Sequence, residues 1–254
     1  MRIALCQLDM VWDDKSANKD RILSLMDRLS PAPAMDWLIF PEMTLSGFSM
    51  NAQRASLDET DIGFFADLAR RHRTCISFGG VQQGRNNLVT MDASGKIFSV
   101  YSKIHLYSFG GEDKTYQPGS KPERFVVCNM RVVPAVCFDL RFPYLFWNEA
   151  PRTDLFVVIA SWPARRSEHW MRLLQARAIE NQCYVVGVNR TGRDPLLEYS
   201  GNSMIFDPLG KTVLDCKDAE GVFVASLDVN AELVAKTRVR FPFLKDRLPA
   251  FSFS

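Results

Sequence analysis

Residues 131–143 read R-V-V-P-A-V-C-F-D-L-R-F-P. Positions 132–136 are apolar and mostly β-branched, the composition of a buried strand, and the run stops at Cys137. Asp139 and Arg141 follow at once, giving this thiol a polar setting with no metal-ligand spacing around it. A nucleophile would be placed at such a strand end. Two other segments end alike. W-L-I-F-P-E, residues 37–42, closes on Glu42, and S-V-Y-S-K, residues 99–103, closes on Lys103. Strand ends in an α/β layer are held rigidly yet open to solvent, so a thiol, a carboxylate and an ammonium that converge there can divide acyl chemistry among them. The three are read as one site.

Working outward, residues 2–8 alternate as a strand, and K-S-A-N-K-D-R-I-L-S-L-M-D-R-L, residues 15–29, puts Ile22, Leu25, Met26 and Leu29 at helical spacing. Pro31 and Pro33 are expected to end that helix. A strand at 37–40, a helix over 62–72 and a strand at 74–81 complete a β-α-β-α-β order. From 86 to 137 the pattern turns to successive strands with tight turns, which requires a sheet of mixed pairing direction. Downstream come a buried strand at 154–160, a helix carrying Trp170, Leu173, Leu174 and Ile179 on one stripe, and a strand at 183–189. D-P-L-G at 207–210 is a hairpin turn, and 231–240 forms a last helix. The glycines of S-F-G-G-V-Q-Q-G-R-N-N, residues 77–87, lack the G-K-[ST] ending of a phosphate loop and mark a turn between strands.

Composition narrows the partners. The 254 residues contain no compositional break, so one domain spanning 1–254 is expected. Thirty-one basic against 29 acidic residues leave a formal charge of +2 without a dense basic run, which argues against nucleic acid. No apolar stretch is long enough for a membrane helix and no secretory leader is visible, so the cytoplasm is the expected location. Six cysteines at 6, 75, 128, 137, 183 and 216 fit no C-x-x-C pattern, and most read as small buried hydrophobes, Cys137 alone having a polar setting.

Together, M-R-I-A-L-C-Q-L-D, F-P-E-M, S-K-I-H-L, C-F-D-L-R-F-P, A-S-W-P-A-R-R-S-E-H-W and R-A-I-E-N-Q-C-Y-V-V-G-V-N-R make the chain resemble the nitrilase superfamily of carbon-nitrogen hydrolases, nearest its omega-amidase branch. The resemblance covers almost the whole length. It implies an α/β fold, a four-layer α-β-β-α sandwich of two mixed sheets. It implies a thioester mechanism for the ω-amides of 2-oxo dicarboxylic acids, such as 2-oxoglutaramate. In it Cys137 attacks, Glu42 is the general base, Lys103 and the Phe138 backbone N–H face the oxyanion, and Glu112 holds the lysine. A reference thiol with pKa of roughly 8.5 is scarcely ionised near neutrality, hence the base. One oxyanion donor is worth about 3 kcal/mol. Such chemistry uses no metal and no organic cofactor. The resemblance also implies a homodimer or larger homo-oligomer, for which the aromatic tail at 241–254 offers one surface.

For the substrate carboxylate a planar guanidinium is the best grip. Arg141 is the candidate, with an ion pair to Asp139 or Glu149 as its rival role. Arg165 and Arg166 are weaker candidates, read first as a solvated pair, and Phe138 and Trp162 are expected to line the pocket. A Cys-His dyad would have to use His105 and is disfavoured, and the G-x-S-x-G elbow is absent. Rival activities are a deaminated-glutathione or other small-amide amidase and a nitrilase; a scaffold that keeps the fold is the rival from another class.

Overall fold

The computed structural model describes residues 1–29, 34–228 and 231–248. In chain order its elements are β1 (Arg2–Gln7), α1 (Lys15–Asp27), β2 (Trp37–Ile39), α2 (Ala52–Ala55), α3 (Glu59–His72), β3 (Cys75–Gln82), β4 (Arg85–Met91) and β5 (Ile97–Ser102). Then follow α4 (Glu112–Thr115), β6 (Phe125–Val127), β7 (Met130–Val136), α5 (Pro143–Glu149), β8 (Leu155–Ala160), α6 (Ser167–Asn181) and β9 (Tyr184–Asn189). The remainder comprises β10 (Thr191–Arg193), β11 (Glu198–Ser200), β12 (Met204–Phe206), β13 (Thr212–Asp215), β14 (Gly221–Ser226) and α7 (Glu232–Arg240).

Alternation along the strands sorts these elements into four layers. In β1, Ile3 and Leu5 join a core with Trp37 and Ile39 of β2, and with Val132, Val157 and Val186 of the facing sheet. Ala4 and Cys6 point the other way, onto Ile22, Leu25 and Met26 of α1 and Phe65 and Leu68 of α3. The second sheet repeats the division: Val133, Phe156 and Val185 pack on Phe146 of α5 and on Trp170 and Leu174 of α6. Because side chains alternate with period two, a strand buried on both faces supplies one set to the sheet–sheet core and one to the helices. The sequence is α-β-β-α, as expected.

One sheet runs β14-β1-β2-β3-β4-β5 and the other β13-β12-β9-β8-β7-β6. In each, three parallel strands (β1-β2-β3 and β7-β8-β9) are extended by antiparallel neighbours. Residues 86–137, read from sequence as a succession of strands, divide between the two sheets. β4 and β5 form one edge of the first sheet, whose other edge is closed later by β14; the chain crosses over residues 103–124, and β6 and β7 open the second. The β6–β7 hairpin turns through Cys128 and Asn129, both at positive φ, the geometry that matches strand twist.

Helix boundaries follow local chemistry. Asp14 caps α1, accepting from the Ala17 amide at 2.9 Å, and Asp58 with Asp61 forms a reciprocal capping box on α3. Pro31 and Pro33 lie outside the described residues. The expected stripe on α6 needs correction: Trp170 and Leu174 are buried, but Ile179 is exposed, and Arg177, Ala178 and Asn181 complete the buried face. Arg177 can be buried there because it donates to the Leu140 carbonyl at 2.8 Å and pairs with Glu180. Of the aromatic tail, Phe241 and Phe243 stack edge-on at 5.1 Å and Phe241 is exposed, while 249–254 fall outside the described residues. Among the described residues no helix is long and apolar enough to cross a membrane.

Gly79 in β3 is where backbone meets backbone: a Cβ there would stand 2.4 Å from Met43 N, 2.6 Å from Glu42 Cα and 2.7 Å from Pro41 O. None of these atoms can swing aside. Gly79→Ala is therefore expected to lower the unfolding free energy by about 1–3 kcal/mol, as overpacking does, measured by urea denaturation; an unchanged midpoint would show that the 41–43 segment moves freely.

Candidate active site

Four of the strands end at one place. The first is β2, whose chain passes through Phe40 and Pro41 to Glu42 and turns at Met43, a residue at φ 45°. Thr44 ties this turn to β3, donating from its hydroxyl to Pro41 O at 2.7 Å and accepting from Gly79 N at 3.1 Å. Lys103 follows β5, its own N–H bonded to Asn86 O at 2.9 Å and its carbonyl to Gly119 N at 2.8 Å. Cys137 follows β7 at φ 48° and opens a 3-10 turn, Cys137–Arg141. Ser161 follows β8.

A left-handed conformation costs a non-glycine residue about 1–3 kcal/mol and persists only where the surroundings hold it. Asp139 does so for Cys137. Its Oδ2 accepts from Val136 N at 3.0 Å and from the Tyr101 hydroxyl at 2.8 Å, and its Oδ1 accepts from His105 N at 2.9 Å and faces His105 Nδ1 at 2.8 Å. The buried Asp139 thus pins the backbone around the thiol. Its sequence reading as a polar neighbour of the thiol is replaced by that of a brace. His105 is occupied by Asp139, by the Tyr144 hydroxyl at 2.5 Å and by a stack on Phe142 at 3.8 Å.

Glu42, Lys103 and Glu112 are each 0% exposed. Lys103 Nζ donates to Glu42 Oε1 at 2.9 Å and to Glu112 Oε1 and Oε2 at 3.0 and 2.8 Å, and lies 5.2 Å from the Phe48 ring centre. Solvent-open strand ends were expected; the charges are instead sealed inside, where water cannot weaken them. Burial alone would lower the lysine's proton affinity, but the carboxylates of Glu42 and Glu112 outweigh it and push the ammonium above its usual range. For the Cys137 thiol, burial first and the Glu42 carboxylate second drive ionisation well above the ordinary value, with Lys103 opposing. The thiol therefore carries its proton at neutral pH. It can react as thiolate only if a neighbouring base takes that proton during attack.

Above the cluster opens a cavity of about 560 Å³, lined by Cys137 and largely by apolar side chains, among them Trp12, Phe48, Leu196 and Tyr199. Phe138 and Trp162 line it, and so do two guanidiniums, those of Arg141 and Arg166. Arg141 lies 4.8 Å from the Trp162 ring centre and 3.3 Å from His169 Nδ1. Its rival role fails: Glu149 is bonded to Arg124 at 2.5 Å and Asp139 to the groups above. Arg166 stands 5.7 Å from the Tyr107 ring centre, so the solvated-pair reading holds for exposed Arg165 and is corrected for Arg166. Burial and Arg166 both lower the affinity of Arg141 for its proton, which marks two like charges facing one space. Neither guanidinium pairs with a carboxylate among the described residues. Such a space suits an anion of carboxylate size.

Three participants escaped sequence reasoning: Asn86, Ser161 and Tyr107. Asn86 Nδ2 donates to Glu42 Oε1 at 2.7 Å and to Glu112 Oε1 at 2.8 Å. Ser161 N donates to Glu42 Oε2 at 2.8 Å, and Tyr107 N to Glu112 Oε2 at 2.7 Å. Backbone donors leave no trace in side-chain identity. Asn86 did leave one, since paired asparagines opening an otherwise apolar strand are unusual.

The carbon-nitrogen hydrolase family model matches residues 2–238. The chain is 35% identical to omega-amidase YafV of Yersinia enterocolitica, over 99% of this chain and 95% of that protein. It is 30% identical to 2-oxoglutaramate amidase of Bacillus subtilis, over 96% of each. Among solved structures it superposes on XC1258 of Xanthomonas campestris, a CN-hydrolase superfamily protein with an arsenic adduct in its active site, with a TM-score of 0.90 and 32% identity, covering 100% and 99% of the two chains.

Removing one member of a buried charge cluster leaves the others uncompensated. Lys103→Met is expected to lower the unfolding free energy by about 3–5 kcal/mol, and a loss under about 1 kcal/mol in urea melts would show that water reaches the carboxylates.

Proposed function

The chain belongs to the carbon-nitrogen hydrolase family, and we propose that it is an omega-amidase that cleaves the distal amide of small 2-oxo dicarboxylic acid monoamides, of which 2-oxoglutaramate is the type. The observation that carries the reading is the placing of a half-buried thiol beside a buried carboxylate–ammonium cluster, with two guanidiniums that pair with no carboxylate among the described residues, around one largely apolar cavity. The cluster suits an amide and the guanidiniums suit the carboxylate at the substrate's other end.

In this reading Glu42 takes the Cys137 proton as Sγ bonds the carbonyl carbon, and the displaced electron pair gathers on oxygen. Lys103 and the Phe138 N–H face that oxyanion. Collapse expels the amide nitrogen, which leaves as ammonia with the proton held by Glu42, and a thioester remains on Cys137. Glu42 then draws a proton from water, hydroxide adds to the thioester, and the 2-oxo acid departs as the thiol is restored. Glu112 keeps Lys103 in place throughout. Arg141 and Arg166 grip the carboxylate, with Trp162 and Phe138 as walls.

The cavity volume of about 560 Å³ favours one second reading, a longer amide such as deaminated glutathione. A homo-oligomer in the cytoplasm completes the proposal. The exposed Val239, Phe241 and Leu248 supply an apolar face for association, and a reducing compartment suits an exposed free Cys128. Sedimentation equilibrium at two loading concentrations tests the first point.

Ammonia release from 2-oxoglutaramate should exceed that from glutamine, deaminated glutathione and a simple nitrile, and Cys137→Ala and Cys137→Ser should abolish it. Preference for deaminated glutathione would select the second reading, and turnover by either Cys137 variant would remove the nucleophile from the scheme. Arg141→Lys and Arg166→Lys should each raise KM for 2-oxoglutaramate about 10–100-fold, the loss of a charged hydrogen bond, with neutral amides little affected. Equal losses on neutral amides would make the arginines structural.

A further inference from the structure

Glu42 and Glu112 are the same residue type, equally buried, bonded to the same ammonium, and yet only one can serve as a base. Counting acceptor sites separates them. An ionised carboxylate offers about four lone-pair positions, two on each oxygen. Glu112 has all of them filled: Oε1 accepts from Lys103 Nζ and Asn86 Nδ2, and Oε2 from Lys103 Nζ and Tyr107 N. Glu42 has three filled. Oε1 accepts from Lys103 Nζ and Asn86 Nδ2, and Oε2 accepts only from Ser161 N among the described residues. The open position is on Oε2, the oxygen bonded to Ser161, which lines the cavity beside Cys137.

Asn86 makes that difference. It is 0% exposed, it spends both amide hydrogens on the two carboxylates, and its backbone carbonyl accepts from Lys103 N at 2.9 Å. With Lys103 it forms a closed ring in which two donors each bridge Glu42 Oε1 and Glu112 Oε1. Among the described residues its own Oδ1 is buried without a partner. The opposite amide orientation would aim that oxygen at two carboxylates, so the ring admits only the nitrogen. An orphaned buried acceptor is a standing cost, tolerated here in exchange for two charge-assisted bonds.

We propose that Asn86 is a positioning residue for the amidase reaction: it saturates Glu42 Oε1 and so directs the Cys137 proton to Oε2. This rests on the reading of Cys137 as nucleophile and Glu42 as base. In the first step the S–H bond breaks, its proton moves to Oε2, and Sγ bonds the carbonyl carbon. When the C–N bond breaks, that proton leaves Oε2 with the nitrogen. Without Asn86, Oε1 regains an open acceptor position and competes with Oε2 for the proton.

The test is Asn86→Leu, close in size and without donors, assayed on 2-oxoglutaramate with active sites counted by iodoacetamide uptake at Cys137. Expected are a fall in kcat per titrated site of about 10–100-fold, the worth of one hydrogen bond to a charged group, and a KM within a few fold of the unaltered protein's. A purely structural asparagine would reduce the number of active sites and leave the kcat per site unchanged, and that result overturns the proposal. If the leucine variant does not fold, Asn86→Ser, which retains one donor, should show a smaller fall in kcat per site; a wild-type kcat per site there is equally adverse. Glu42→Gln and Cys137→Ala run alongside. Turnover in those two would defeat the underlying scheme and is distinguishable from a silent Asn86.

Discussion

A single ammonium, Lys103 Nζ, lies between two carboxylates in a space closed to water. Two buried carboxylates could not remain charged side by side, and a buried lysine could not remain protonated alone. Each charge is tolerated because the others are present and because Asn86, Ser161 and Tyr107 supply the remaining bonds. The residues that complete this bonding come from the ends of β2, β5 and β8, the start of β4, and the crossing between sheets. The cluster thus demands that two sheets meet in one register.

That register is enforced at the backbone level. Gly79 lets β3 press against the Glu42 turn, Thr44 bonds both sides of the contact, and Asp139 holds Cys137 in a conformation that a β-carbon disfavours. Strained positions of this kind survive where surrounding structure over-determines them, and both Met43 and Cys137 sit next to or in the charged cluster. The buried cluster supplies that determination on one side and the sheet–sheet core on the other.

The cavity divides its work by polarity. It is lined by the thiol beside the charge cluster and by mostly apolar walls, and its charged side chains are the guanidiniums of Arg141 and Arg166 against one carboxylate, Asp194, which accepts from the Tyr199 hydroxyl and the Leu196 and Leu197 amides. An amide with a carboxylate at the far end meets both requirements at once. A neutral amide meets only the first, which is the physical ground for expecting discrimination by charge as well as by length.

Read as a sequence, the chain declared its alternating strands, its helices, and the three positions where an apolar run stops at Glu42, Lys103 or Cys137. Side-chain periodicity and the abrupt end of hydrophobic runs are local signals, so both survive in one dimension. The sandwich itself and the role of Glu112 came from a family resemblance, since a buried loop carboxylate is written the same way as an exposed one. Arg166 was indistinguishable from Arg165 until the loop took its shape, and Ile179 lay on the expected α6 stripe until buried Arg177 found partners on the far side. Which carbonyls, amides and charges end within hydrogen-bond distance depends on how two sheets pack across positions more than a hundred residues apart. Asn86 acquires its meaning only there, because two carboxylates from distant segments must first be brought to either side of its amide.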